Sequence, residues 1–379
     1  MKLSLLAEIS AVDDGRLDRG VLRRAHLDGP LLLSLVAAAL LGLVVLYSAG
    51  RQNPDMLVRQ GIRLSLGFIA MVVAAQFSSH FLRRWTPWVY LGGVAMLVAV
   101  LLVGEVGKGA QRWLDLGVVR FQPSEIMKIA VPMMMAWYFA DKPLPPHLRA
   151  IVIASIITVV PVLLILKQPD LGTALLVGSS GGFALFLAGL SWRIMLGLGG
   201  LGLVAAPVFW TFGMRDYQRQ RVLTFLDPES DPLGSGWNII QSKIAIGSGG
   251  VYGKGWLNGT QSHLDFLPEG TTDFIFAVFA EEFGLIGLCM LLALYFFIIS
   301  RSLYIAVQAP NTFSRVLAGS LALIFFVYVF VNAGMVSGLL PVVGLPLPLI
   351  SYGGTSIVTI MAGFGMLMGI HTHPRPLSH

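Results

Sequence analysis

The sequence predicts an all-α polytopic membrane protein of about ten transmembrane helices, with a large extracytoplasmic loop between helices 7 and 8. Three observations predict it. Hydrophobic types make up 55% of the 379 residues and charged types 12%, against about 25% charged in an average soluble domain. So few charges could not cover a soluble surface, so lipid must be the solvent for much of the chain. Several apolar runs approach the roughly 20 residues that a helix needs to cross a hydrocarbon core about 30 Å thick. Strand-type alternation is absent, which argues against a β-barrel.

Residues 1–30 are of mixed charge (DDGRLDRGVLRR) and lack a signal-peptide pattern, so a cytoplasmic N-terminal segment is expected, with the first apolar run as an uncleaved anchor. Spans are expected at 31–49, 57–75, 85–104, 123–140, 148–166, 171–189, 192–212, 273–300, 314–337 and 346–370. The fifth and sixth are separated only by KQPD, where Pro169 and Asp170 make a tight turn and a helix start. Residues 31–371 thus read as one transmembrane domain with a large outer loop at 213–272, and 372–379 as a cytoplasmic tail. No internal repeat stands out, which counts against a repeat-built transporter.

An even number of spans puts both termini on one side. The short loops HFLRRW and DKPLPPHLRA favour a cytoplasmic location for them, although the loops 105–122 and 213–272 carry about as many Lys and Arg. In that orientation both long loops face outward, with the helix starts at Glu125, Asp170 and Asp273 at the outer interface. The net charge of +6 fits topology and lipid headgroups, not nucleic acid. The single cysteine, Cys289, permits no intramolecular disulfide and reads as a small apolar packing residue.

Ionisable groups within or beside spans are costly, so each needs a reason. In QPSEIMK, Pro123 suits the first helical turn, where its missing N–H costs nothing. Glu125 and Lys128 are three apart and share a helix face. They read either as a structural ion pair or as a pair that acts on or orients a substrate, since an ion pair inside an apolar helix is expensive without a role. The loop 213–272 holds Arg215, Arg219, Arg221, Lys243 and Lys254 among aromatics and glycines. Its WNIIQSKIAI stretch, residues 237–246, reads as a short helix on the interface with its lysine reaching for headgroups. Such cations suit a phosphate or diphosphate, or anionic lipid in general. GSGG and GKG are not phosphate loops, because no strand precedes them and Walker spacing is missing.

In TTDFIFAVFAEEFG, Asp273 begins a long apolar helix. It reads as a helix-start carboxylate, or as a group that accepts a proton or holds a metal at the membrane surface. Glu281 and Glu282 follow two to three turns deeper, where a packing or network role is expected. Asp170 in KQPDLGT reads as a cap or a site residue, and Gly172 as a point of close helix approach. In NAGMVSGLLPVVGLPLPLISYGGTS, Asn332 reads as interhelical glue. Pro341, Pro346 and Pro348 force a broken helix or irregular loop, which survives at membrane depth only when buried in protein or lining a cavity. There is no HExxH and no triad order, and His371 and His373 read as surface residues.

The stretches GAQRWLDLGVVRFQPSEIMKI, KQPDLGTAL, WNIIQSKIAIGSGG, TDFIFAVFAEEFG and GLLPVVGLPLPLISYGG together resemble the SEDS family (shape, elongation, division and sporulation; RodA, FtsW and SpoVE). The resemblance runs in order from roughly residue 30 to 372, and PVVGLPLPLISYGG with the IHTH run is closest to the RodA branch. It implies a ten-helix peptidoglycan glycosyltransferase of the cell inner membrane, with its active site facing the periplasm. The implied reaction polymerises lipid II into β-1,4 glycan and releases undecaprenyl diphosphate. The implied partner is a class B penicillin-binding protein of the elongation complex. The family's essential aspartate falls on Asp273, and its Glu and Lys of the fourth helix fall on Glu125 and Lys128. The position before the aspartate is often His in the family; here it is Thr272, which puts any assisting role of that histidine in doubt.

Glycosyl transfer from a diphosphate needs a base for the attacking hydroxyl, an aligned anomeric carbon and neutralisation of the leaving group. Asp273 is the expected base, with Glu125 and Lys128 as its catalytic companions. Arg112, Arg219, Arg221, Lys243, Lys254, Asp170 and Ser351 are the expected substrate-binding set. A divalent cation, Mg2+ or Mn2+, is expected at Asp273. No second carboxylate is placed as a covalent nucleophile, so a single displacement with inversion is expected. The rival expectations are a lipid II flippase or transporter, and a non-catalytic scaffold of a wall-synthesis complex.

Overall fold

The computed structural model describes Gly20 and residues 24–107, 110–115, 120–214, 216–231, 236–263 and 266–373. The ten expected spans each correspond to a helix: α1 Gly29–Ala49, α2 Pro54–Ala75, α3 Ser79–Val103, α4 Pro123–Phe139, α5 Leu148–Lys167, α6 Leu171–Leu187 and α7 Trp192–Val208, then α11 Ile275–Gln308, α12 Thr312–Val336 and α13 Thr355–Thr372. The loop expected at 213–272 contains three further helices, α8 Asp216–Leu226, α9 Trp237–Gly249 and α10 Thr260–His263. The departure from an all-α fold is an antiparallel sheet before α4, with strand order β1 Glu105–Gly107, β2 Ala110–Asp115 and β3 Arg120–Phe121.

Side chains mark the helix starts. Asp28, Asn53, Ser78, Asp170 and Asn311 each accept a backbone N–H from the first turn of the helix that follows. Such caps satisfy amides that have no partner within the helix. Proline stands at the start of α1, α2 and α4, where its missing N–H is tolerated. The outward faces are apolar: Val58, Ile62, Leu66, Ile69 and Val73 of α2 are all exposed, as are Val152, Ile156, Val159 and Leu163 of α5. A lipid-facing surface requires this, and a soluble protein does not tolerate it. Helix α12 lies at the centre, with 78% of its apolar window buried, against α11, α6 and α4.

Two expected spans begin elsewhere. The run expected at 346–370 forms a helix only from Thr355, because the three prolines keep 337–354 non-helical. The run expected at 273–300 starts a helix at Ile275 but breaks at Gly284, where φ is 64° and ψ −162°. That conformation is accessible to glycine alone. The backbone groups freed by the break are taken up by residues 250–255: Leu285 N donates to Gly250 O at 3.0 Å, and Lys254 N to Glu281 O at 3.0 Å.

The break corrects the depth expected for the two glutamates. Glu282 accepts a hydrogen bond from Ser48 in the last turn of α1, while Arg301 pairs with Asp28 at the start of α1. Helix α11 therefore crosses the bundle from Gly284 onward, and Glu281 and Glu282 stay at the end where α1 terminates. Cys289 is exposed on the outer face of α11 instead of packed inside. Helix α9 packs against α11 and α12, with Ser242 Oγ donating to Val336 O at 2.8 Å, so it is a built part of the bundle end.

At the opposite end Asp28 joins three helices. It caps α1, pairs with Arg301 of α11 at 2.7 Å and meets His371 Nδ1 of α13 at 3.1 Å. His371 is thus a partner in a network, not an isolated surface residue, and the His26 and His373 rings stack beside it at 3.9 Å. The first and last helices therefore start and finish at the same end. Burial acts to raise the Asp28 pKa, but hydrogen bonds from His371, Arg301 and Leu31 N and the charge of Arg301 hold it well below the usual carboxylate range. A depressed carboxylate pKa stabilises the fold above the unfolded value and loses that contribution as pH falls through the folded one. Asp28→Asn, which keeps the cap, is expected to cost about 1.5–3 kcal/mol at neutral pH. In thermal unfolding the gap to the parent should close only below the ordinary carboxylate range, at about pH 4 and lower.

Candidate active site

The expected chemistry-bearing residues converge at the end of the bundle opposite Asp28. A polar cavity of about 190 Å³ lies there, lined by Arg112, Gln122, Glu125, Lys128, Asp170 and Tyr328 among others, and walled by Gly344, Pro346, Gly353 and Gly354. It sits where the starts of α4, α6 and α13 meet α12 and the non-helical segment.

Glu125 and Lys128 are 5% and 4% exposed, and Lys128 Nζ lies 2.6 Å from Glu125 Oε1. The lysine also bonds the Tyr328 hydroxyl of α12. The second carboxylate oxygen of Glu125, Oε2, is buried without a hydrogen-bond partner among the described residues. A buried acceptor of this kind is costly unless something fills it, and its residue faces the cavity. Asp170 is fully used: it accepts from Thr173 N at 3.1 Å, Thr173 Oγ1 at 3.0 Å and Gln122 Nε2 at 2.8 Å. It is both the cap of α6 and the tie to the residue before α4. Gly172 beside it allows the expected close approach, since a Cβ there would lie 2.7 Å from Val343 O.

Asp273 sits at the cavity's rim: a Cβ on Gly344 would be 3.6 Å from Asp273 Oδ2. Its backbone is held from two sides. Asn332 Nδ2 of α12 donates to Asp273 O at 2.8 Å and to Leu345 O at 2.7 Å. Ser351 Oγ donates to Thr272 O at 2.6 Å and accepts from Leu347 N at 2.7 Å, while Tyr352 N donates to Thr271 O at 2.9 Å. Asn332 is glue, as expected, but it joins two loops across a helix end.

Several members of the expected substrate-binding set are engaged within the protein. Ser351 is 2% exposed, and its hydroxyl is occupied as donor and acceptor, so it positions backbone and does not face the cavity. Lys254 Nζ bonds Glu281 Oε1 and Thr260 Oγ1, both at 2.7 Å, which ties the loop to the helix that carries Asp273. Glu281 also accepts from Thr260 N and Gln261 N, so its network role is structural.

Arg112 lines the cavity with its guanidinium on the carbonyls of Gln168 and Pro169. Arg221 reaches Val342 O at 3.3 Å, beside the non-helical segment. Arg219 bonds Trp210 O and Thr211 O. Lys243 is exposed and lies over Gly338. Arg215 lies outside the described residues. Tyr328, Gln122 and Thr173 also line the cavity, and no sequence pattern marks them for it. A tyrosine inside an apolar run reads as packing, and no spacing rule links it to a lysine 200 positions away. Among the described residues no group of three or more His, Cys, Asp or Glu could hold a metal ion.

A helical bundle in which seven of the described helices are long and apolar enough to cross a membrane, with an ion-pair-bearing polar cavity at one end, defines a polytopic membrane protein with a candidate site at the end of the bundle. The chain belongs to the FtsW/RodA/SpoVE cell cycle protein family, the SEDS proteins, which it matches over residues 30–376. It is 56% identical over 357 residues to the peptidoglycan glycosyltransferase MrdB of Escherichia coli K12, covering 94% of this chain and 96% of that one. It is 38% identical to the probable peptidoglycan glycosyltransferase FtsW of Trichlorobacter lovleyi, covering 92% and 94%. Among solved structures it resembles a chain from a peptidoglycan synthase complex that coordinates polymerization and crosslinking, at 35% identity, a TM-score of 0.79 and coverage of 91% and 97%. The crystal structure of the Thermus thermophilus rod shape determining protein RodA matches at 30% identity and a TM-score of 0.69, covering 91% and 96%.

Removing one partner of a buried ion pair leaves an uncompensated charge, at a cost of about 3–5 kcal/mol. Glu125→Gln and Lys128→Met should each lower the melting temperature strongly. The double variant should melt well above the sum of the two losses, which thermal unfolding of the purified protein in detergent reads directly.

Proposed function

We propose that this chain is a peptidoglycan glycosyltransferase that polymerises lipid II into β-1,4 glycan strands during cell elongation. The similarity to named peptidoglycan glycosyltransferases over nearly the whole chain carries the reading. The placement of Asp273 against the wall of the polar cavity supports its role.

Asp273 accepts the proton of the attacking GlcNAc 4-hydroxyl. The new bond forms from that oxygen to the donor's anomeric carbon, the bond from that carbon to the diphosphate breaks, and the leaving undecaprenyl diphosphate keeps the electron pair. Attack opposite the departing group turns the α-linked donor into a β-linkage. Lys128 holds Glu125 by one oxygen, which leaves Oε2 to accept a sugar hydroxyl and orient the substrate. Arg112 lines the cavity and Arg221 reaches Val342 O beside the non-helical segment, and both offer positive charge to the diphosphate. Asn332 and Ser351 fix the base, because they hold the backbone of Asp273 and Thr272.

Asp273 is part of no group of three or more His, Cys, Asp or Glu among the described residues, so it would hold a divalent cation, Mg2+ or Mn2+, only jointly with the phosphate oxygens of the substrate. Such an ion would supply charge neutralisation to the leaving diphosphate. The chain is placed in the inner membrane with both termini cytoplasmic. The meeting of α1 and α13 at Asp28 puts the start of one and the end of the other at the end of the bundle opposite the cavity; with that end cytoplasmic, the cavity faces the periplasm. A class B penicillin-binding protein is the proposed partner, supported by the solved relative found within a peptidoglycan synthase complex.

Purified protein with that partner, given lipid II, is expected to make glycan strands. Asp273→Ala should slow polymerisation by about 10²–10⁴-fold, the usual contribution of a general base, while keeping the parent's melting temperature. Polymerisation at the parent rate by a folded Asp273→Ala protein rejects the assignment. Addition of EDTA should abolish activity and Mg2+ or Mn2+ restore it. Translocation of fluorescent lipid II in sealed vesicles with no polymer formed would instead establish the flippase reading.

A further inference from the structure

Arg63 stands inside a candidate membrane span with no counter-charge among the described residues. It lies nine residues beyond Pro54, the first residue of α2, or about 13 Å along the helix at 1.5 Å per residue. Among the described residues it has no carboxylate and no hydrogen-bond partner; its contact is the face of Tyr352, 4.3 Å from the ring centroid. An arginine at that depth is costly, and such residues face a bundle interior or a polar cavity and mark a function. Stacking on an aromatic ring recovers only part of the lost hydration.

Its surroundings point to what it serves. On α2 it lies at the seam between two faces. Gln60, Leu64 and Gly67 are buried against the 351–354 segment and α13, while Ile62, Leu66 and Ile69 are exposed to lipid. Its Nε lies 3.6 Å from where a Cβ of Gly354 would be, and Gly353, Gly354, Thr355 and Ser356 form one wall of the polar cavity. Tyr352, on which it stacks, is bonded through its N–H to Thr271, two residues before Asp273.

The charge balance gives the sign of the ligand. The side chains lining the cavity include two cations, Arg112 and Lys128, and two carboxylates, Glu125 and Asp170, with Asp273 at the rim. Even with Arg221 beside the non-helical segment, those groups carry no net positive charge and give a diphosphate no net attraction. Arg63 is a cation beside them that no carboxylate offsets. A planar guanidinium suits two phosphate oxygens at once, and its position at the lipid seam suits a phosphate carried on a membrane chain.

We infer that Arg63, next to the Gly353–Gly354 wall, binds the diphosphate of a polyprenyl-linked substrate or product where it passes between the bilayer and the cavity. This deepens the proposed glycosyltransferase reading and rests on it for the identity of the ligand. The binding itself is testable without turnover, so the two fail separately. If lipid II is not polymerised the enzymatic reading falls, whereas the arginine's role is judged by binding alone.

The test uses the purified full chain in zwitterionic nanodiscs, with farnesyl diphosphate as the probe. Loss of a charge-assisted contact is worth about 1.5–3 kcal/mol, so Arg63→Gln should raise the Kd by at least about tenfold. Arg149→Gln, at the far end of the bundle, should leave it unchanged. Tyr352→Leu, which keeps the guanidinium, should bind within about threefold of the parent. In the unmutated protein the probe should slow phenylglyoxal modification of Arg63, read by peptide mass spectrometry, and not that of Arg149. This arm holds even if a variant fails to fold. Parent-like affinity in a folded Arg63→Gln protein, equal losses in Arg63→Gln and Tyr352→Leu, or no protection of Arg63 by the probe would each overturn the inference. So would equal protection by phosphatidylglycerol, which would make Arg63 a general contact for anionic lipid.

Discussion

A stretch of polypeptide without helical hydrogen bonds, residues 337–354, sits among membrane helices, and its backbone polar groups must be satisfied within the protein. A few buried side chains do this. Asn332 takes Leu345 O, Ser351 takes Leu347 N, Tyr295 takes Pro348 O, and Gln60 takes Ser351 O. The same side chains, or their neighbours, reach the 271–273 segment. Satisfying the loop thereby fixes Asp273, and the cavity wall exists because the loop is held open there. The irregular backbone and the site are one construction.

The second break, at Gly284, serves the same end from the other side. It separates a short helix that begins just after Asp273 from the long portion of α11 that crosses the bundle. Glu281 and Glu282 lie at the break and anchor it to Lys254 and Ser48. The aspartate is therefore carried on an element pinned at both ends. Such pinning suits the proposed role of Asp273 as a base, because misplacing a reacting group by about 1 Å can cost about a hundredfold in rate.

The Glu125–Lys128 pair makes little sense as a stabilising device. Buried ion pairs are often no better for stability than apolar residues of similar volume. This one leaves a carboxylate oxygen unsatisfied beside a polar cavity, a cost that binding a substrate hydroxyl would offset. Arg63 has the same character: a charge placed where the fold gains least from it and next to where an anion would arrive.

The sequence by itself determined the apolar helices of a polytopic membrane protein, because hydropathy over about 20 residues is set by the thickness of the bilayer and by little else. It also determined the Glu125–Lys128 pair and Asp170 as a helix start, since three-residue spacings and caps need no knowledge of the rest of the chain. Tertiary structure decided everything that joins distant segments. It set Tyr328 on Lys128, Asn332 on Asp273, Ser351 on Thr272 and Arg63 on Tyr352. It also decided that Glu281 and Glu282 lie at the end of the bundle and not within it, because a single glycine in a conformation closed to other residues ends one helix and starts the next. No periodicity in the sequence announces such a break. It is stable only because residues 250–255, far from it along the chain, complete its hydrogen bonds.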